Sequence, residues 1–83
     1  PDDAKAYLLL GTISYRLGDT GEAESNFKAA ISADPVPSEP YFNLAMICAK
    51  SSRLEDGREY YSQALERGAV PDQSLEIRLE GKP

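Results

Sequence analysis

Apolar residues recur along the chain at the three-and-four spacing of amphipathic helices, in segments parted by short runs rich in glycine, proline, serine and aspartate. Tyr7, Leu10, Ile13 and Leu17 share one face of a first helix, which Asp2 or Asp3 can cap and which the turn Leu17-Gly18-Asp19-Thr20-Gly21 breaks. A second helix is predicted from about Glu22 to Ala33, stopping ahead of Asp34-Pro35-Val36-Pro37. Ser38 stands where it can cap a third, which admits Pro40 because the N–H groups of a first helical turn lack intrahelical partners. On that helix Tyr41, Leu44, Ile47 and Cys48 form the matching face, and both faces are expected to enter the core. Ser52 and Glu55 have the Ser-x-x-Glu spacing of a capping box for a fourth helix. Pro71-Asp72 restarts the pattern with a short helix near residues 73–80, which Gly81 would end.

These helices are two copies of one unit. Sliding the chain on itself by 34 positions (41 − 7) aligns Tyr7 with Tyr41, Leu10 with Leu44, Ile13 with Ile47, Ala30 with Ala64, Val36 with Val70 and Pro37 with Pro71. Conservative pairs fill the register: Leu8/Phe42, Gly11/Ala45, Arg16/Lys50, Ala23/Gly57, Phe27/Tyr61 and Ile31/Leu65. Close helix crossings need small residues, and the first unit is expected to set Gly11 against Ala23, the second Ala45 against Gly57. That use explains a glycine inside a helix despite its cost of about 1 kcal/mol.

Successive helical residues point about 100° apart, so the run Leu8-Leu9-Leu10 cannot enter one core together. Leu10 is assigned to the core. Leu8, Thr12 and Tyr15 form a second stripe, and the shift of 34 finds it again as Phe42, Met46 and Ala49.

A helix-turn-helix unit of about 34 residues resembles the tetratricopeptide repeat. That family's pattern runs aromatic-x₂-Leu-Gly-x₂-Tyr, then Ala-x₃-Phe, then Ala and Pro. The first unit supplies Tyr7, Leu10, Gly11, Ala23, Phe27, Ala30 and Pro35, departing only at Ser14, beside which Tyr15 stands. The second is looser: Tyr41, Leu44, Ala45, Cys48, Gly57, Tyr61 and Ala64, with Ala69 where proline is expected and Pro71 two residues on. The resemblance implies an all-α, right-handed solenoid of helical hairpins. It is expected to form a single domain over residues 1–83, with one repeat at about 4–37, a second at about 38–71 and a short capping helix at about 72–80.

In this family the first helix of each unit lines a concave surface, so the resemblance implies that Leu8, Thr12, Tyr15, Phe42, Met46 and Ala49 floor a groove. Leu9 and Asn43 would lie at its margin, with Lys5, Arg16, Glu39 and Lys50 around it. The expected function is non-catalytic: a scaffold module holding a peptide or helical segment of another protein. The alternative is a capping or oligomerisation unit of a longer solenoid, its apolar stripe buried against a neighbour or a second copy. Some members clamp an acidic carboxyl terminus with lysine, asparagine and arginine on successive groove helices. Here Leu8 and Thr12 stand at the first helix's Lys and Asn positions, and Gln73 and Ile77 replace the last helix's basic pair, so no such clamp is expected.

Composition narrows the partners further. A net charge of −5 argues against nucleic acid or anionic lipid as the main partner, since each needs a basic face. No apolar run approaches the roughly 20 residues of a spanning helix, so membrane insertion is not expected. The chain has no histidine and one cysteine, which removes the His-based general base, the Cys-His pair, the common zinc site and an internal disulfide; neither metal nor cofactor is expected. Cys48 reads as a buried spacer, having no basic neighbour to lower its pKa. Glu22/Glu24 and Glu55/Asp56 fall at helix starts, where carboxylates suit the macrodipole, and Glu24-Lys28 has the spacing of a surface pair. Gly18 and Gly21 lack the strand-loop-helix setting of a phosphate loop. The chain opens on Pro1 without a methionine, as a fragment or processed product would.

Overall fold

In the computed structural model, which describes residues 3–81, five helices follow one another: α1 (Ala4–Arg16), α2 (Thr20–Ala33), α3 (Glu39–Lys50), α4 (Leu54–Glu66) and α5 (Gln73–Glu80). No strand occurs among the described residues. The pairs α1/α2 and α3/α4 are antiparallel, α2 joins them by packing on α3, and α5 lies against both α3 and α4.

The turns inside the two hairpins are built alike. At the end of α1, the Asp19 N–H donates to the Ser14 carbonyl and the Gly18 N–H to that of Tyr15; at the end of α3, Arg53 and Ser52 do the same to Cys48 and Ala49. This double bond pattern needs a left-handed residue just past the helix. Gly18 supplies it at φ +86°, but 34 positions on the residue is Ser52, held at φ +61°. The expected Ser52–Glu55 capping box therefore does not form: Ser52 ends α3, the N-cap of α4 is Arg53, and no side chain caps that helix. Ser38 stands at the N-cap of α3 as expected, and Asp3 at that of α1, but neither side chain caps; Asp2 lies outside the described residues. Asp19, by contrast, caps α2 by accepting from the Glu22 N–H, which starts that helix at Thr20 instead of Glu22.

Two buried clusters hold the hairpins. Ala23 and Phe27 from α2 meet Leu44 and Ile47 from α3, with Leu8 and Tyr15 of α1 packed on them. Ala45 and Tyr61 meet Leu75 and Leu79 of α5, with Phe42, Met46 and Ala49 alongside. The face of α3 thus enters the core as expected, Tyr41, Leu44, Ile47 and Cys48 all being buried. The matching face of α1 does not. Leu10 is 49%, Ile13 44% and Leu17 78% exposed, against 0% for Leu44 and 1% for Ile47, and Tyr7 is only half-buried. The reason is the neighbour: α2 covers this side of α3, and among the described residues no helix covers the equivalent side of α1.

The small residues also differ from expectation. A methyl on Gly11 would meet the ring of Phe27 at 2.7 Å, so Gly11 makes room for Phe27 and not for Ala23. Gly57 does face the α3 backbone, with the Ala45 carbonyl 3.5 Å and the Cys48 Cβ 3.2 Å from such a methyl, but Leu79 of α5 comes closest, at 2.6 Å.

Polar contacts fasten the connectors. The Pro35 carbonyl accepts from the Tyr41 hydroxyl (3.1 Å) and from Arg67 Nε (2.7 Å), and the Arg67 guanidinium stacks 4.2 Å over the Tyr41 ring. The Tyr61 hydroxyl accepts the Asp72 N–H and donates to Glu76, while Asp72 caps α5 and Arg58 donates to the Leu79 carbonyl. Phe27, at the matching place in the first unit, has no hydroxyl; the extra oxygen of Tyr61 is what seats α5.

Candidate interaction groove

The second stripe arises because α1 and α3 each have neighbours on one side only partly covering the next. Leu8, Thr12 and Tyr15 are half-buried on α1, and the Thr12 hydroxyl donates back to the Leu8 carbonyl at 2.9 Å, hiding its polarity within the helix. Lys50 Nζ lies 5.0 Å above the centre of the Tyr15 ring, which brings the ends of α1 and α3 together and keeps the ammonium over an aromatic face. The Tyr15 hydroxyl is shut off from solvent and has no hydrogen-bond partner among the described residues.

On α3, Phe42, Met46 and Ala49 are half-buried because α5 and Tyr61 pack beside them; the Phe42 and Tyr61 rings meet tilted, 6.4 Å between centres. Asn43 is half-buried next to them, and Lys5, Leu9, Arg16, Glu39 and Lys50 are exposed. The surface is dimpled where helices meet. A notch of about 70 Å³ between the starts of α1 and α3 is lined by Leu8, Ala30, Pro37 and Pro40, with Lys5 and Asp34 beside it. Glu39, Phe42 and Asn43 face Val70 and Pro71 across a shallow depression, and Met46 and Lys50 face Leu75 and Arg78 across another. Residues from the connectors and α5 escaped sequence reasoning, since helix period says nothing about which loop lands beside a given face.

Charge is graded along these helices. Arg16, Lys50 and Arg78 occupy the last turns of α1, α3 and α5, where cations suit the helix dipole, and none forms an ion pair among the described residues. Glu39 begins α3 and Asp72 precedes α5, with Lys5 of α1 the exception to an acidic opposite end.

Burial pushes the Cys48 thiol above its ordinary pKa, away from the thiolate a nucleophile needs. No group of three metal-ligating side chains occurs among the described residues. Among the described residues Glu24 is the one strongly shifted carboxylate. It accepts both terminal nitrogens of Arg53 at 2.8 and 2.9 Å and lies 3.4 Å from Lys28, so the expected surface pair is one arm of a bridge from α2 to the start of α4. The bridge ties α2 of the first hairpin to the start of α4 in the second.

The model of the family described as tetratricopeptide repeat matches residues 8–74. No curated protein and no solved structure matches the chain. No helix among the described residues is long and apolar enough to cross a membrane.

Proposed function

The chain belongs to the tetratricopeptide-repeat family, generally a protein-interaction module and typically non-catalytic, and we propose that it holds an extended or helical segment of another protein in the groove of α1 and α3. The observation that carries this reading is the pairing of half-buried apolar stripes, Leu8/Thr12/Tyr15 and Phe42/Met46/Ala49, with a rim that keeps unpaired charge. The notch beside Leu8, about 70 Å³, fits a single side chain, and the wider depression of about 390 Å³ along Glu39, Phe42 and Asn43 lies open on the surface. A segment laid along the stripes would place one apolar residue there and another near Phe42, with acidic groups toward the Arg16–Lys50–Arg78 end. Leu9 and Asn43 at the margin, with Glu39 beside them, would set register.

A random peptide library displayed on phage and panned against the immobilised chain tests this. Enriched peptides should carry large apolar residues with a nearby carboxylate, and should bind at least about tenfold more weakly to Lys50→Glu and Asn43→Arg, as loss of roughly 1.4 kcal/mol implies. Glu59→Lys, exposed on α4, should bind them as the wild type does. Peptides indifferent to both groove changes would sink the proposal.

A further inference from the structure

Two depressions follow one another along α3, on the side that faces α5. The first, about 390 Å³, lies at the start of α3, with Phe42 and Pro71 in its wall and the carboxylates of Glu39 and Asp72 beside them. The second, about 200 Å³, lies toward the end of α3, where Lys50 and Arg78 stand beside Met46 and Leu75. Asp72 borders both, so the two form one trench whose charge changes sign along its length. None of these four charged groups forms a salt bridge among the described residues, although Asp72 spends one oxygen on the Leu75 N–H and Lys50 lies over the Tyr15 ring.

The first unit shows that this arrangement does not come with the repeat. Thirty-four positions back, Leu8 and Pro37 stand for Phe42 and Pro71, but Lys5 replaces Glu39 and the notch shrinks to about 70 Å³. Arg16 matches Lys50, so α1 is cationic at both ends. The change of sign belongs to α3 and its neighbour α5.

Each half suits one kind of side chain. An arginine or lysine can lay its apolar stem along Phe42 and Pro71 while its cation meets Glu39 and Asp72. A glutamate or aspartate can meet Lys50 and Arg78, whose guanidinium offers a carboxylate two parallel hydrogen bonds. We propose that the trench seats an extended segment of the partner protein carrying both charges: a basic residue over Phe42, an acidic residue between Lys50 and Arg78, and an apolar residue over Met46 between them. The inference rests on the groove reading and places the charged part of the segment on the α5 side of α3. Glu39 and Lys50 are 11 residues apart (50 − 39), about 16 Å at 1.5 Å per residue, which an extended chain covers in about five residues. A helix, about 10 Å across, is too wide to enter between α3 and α5, which are already in contact. A segment of one sign alone would meet like charge at one end, and that repulsion gives the trench its selectivity.

The test sequences the phage-displayed peptides that enrich on the wild-type chain and measures a synthetic representative by fluorescence anisotropy. Enriched peptides should carry a basic and an acidic residue about five positions apart with an apolar residue between them. The representative should bind at least about fivefold more weakly to Glu39→Lys and to Arg78→Glu. The double variant Glu39→Lys/Arg78→Glu should regain most of the affinity for a peptide whose two charges are exchanged, a recovery that an unfolded variant could not give. Enriched peptides without the charge pair, or binding that neither substitution moves, overturn the proposal. So does loss in both single variants with no recovery by the exchanged peptide, since folding and not charge would then be the cause. If the peptides still answer to Lys50→Glu and Asn43→Arg, the groove reading stands without the trench; if they answer to none of the four substitutions, or if no peptide enriches, both fall.

Discussion

Alanine at Gly11 and at Gly57 adds the same methyl to two mid-helix positions, and the structure separates their fates. Each substitution gains about 1 kcal/mol of helix propensity. At Gly11 the new Cβ would lie 2.7 Å from two ring carbons of Phe27, a side chain 1% exposed and wedged among Ala23, Leu44 and Ile47. The ring has nowhere to go, so backbone must part, and overpacking of this kind costs about 1–3 kcal/mol. At Gly57 the closest atom, 2.6 Å away, is the Leu79 Cδ2, the end of a side chain with two free torsions on the eight-residue α5. Leu79 can turn aside, leaving the 3.2 Å approach to the Cys48 Cβ as the residual strain. Because the Phe27 ring is walled in, overpacking at Gly11 falls in the upper part of that range, about 2–3 kcal/mol, and less the propensity gain Gly11→Ala should destabilise by about 1–2 kcal/mol, while Gly57→Ala should fall within about 1 kcal/mol of wild type. In a domain of this size that separates the melting temperatures by several degrees, at about 4–8 °C per kcal/mol. Urea and thermal unfolding followed by far-ultraviolet circular dichroism measure both. Wild-type stability in Gly11→Ala, or a larger loss in Gly57→Ala than in Gly11→Ala, would refute the reasoning, because it would mean that Phe27 yields more easily than Leu79. Gly57→Leu, too large for either adjustment, should cost about 1–3 kcal/mol.

Ser52→Gly should raise stability by up to about 1 kcal/mol in chemical denaturation, because glycine takes the left-handed φ of +61° without the Cβ clash; an unchanged or lower midpoint would count against strain at that turn. The bidentate hydrogen bond from Arg53 holds the Glu24 carboxyl at about 2, down from an ordinary 4.5. A depressed carboxylate pKa stabilises the fold above 4.5 and loses that contribution as pH falls toward 2, so Glu24→Gln should cost about 1 kcal/mol at pH 7 and nothing at pH 2, Arg53 being partly exposed; equal costs at both pH values would exclude the ion pair as the cause. A free carboxyl terminus should add nothing to the binding of a peptide, since Leu8, Thr12, Gln73 and Ile77 set no cation where a terminal carboxylate would be clamped; micromolar binding in calorimetry that disappears on amidating the terminus would show otherwise.

The hairpins and the 34-residue register were legible because they rest on local chemistry: apolar period, with glycine and proline at the turns. Local chemistry misled where one residue could serve two neighbours. Ser52 has the spacing of a cap for α4, yet the close of α3 needs a left-handed residue at that position, and a serine there cannot also take the extended backbone of an N-cap. Asp19 escapes the conflict because Gly18 takes the left-handed place, freeing the aspartate to cap α2. The Glu24–Arg53 bridge was out of reach for a different reason: its partners stand 29 residues apart, and no period links them.

Helical period says which residues share a face, and says nothing of whether a face is covered. Leu10 and Leu44 occupy the same place in their units, and one is half in water while the other is sealed, because coverage belongs to the pair of neighbours and not to the motif. The same logic revises the groove. Leu8 and Phe42 share a stripe, but Phe42 also packs beside Tyr61 and the α5 cluster, so a charge at position 42 would strike the seat of α5 as well as any partner. Loss of binding in Phe42→Glu would therefore mix unfolding of the end helix with loss of contact. Asn43 and Lys50 border the same stripe outside that cluster, which is why substitutions there, and not at the aromatic, separate recognition from stability.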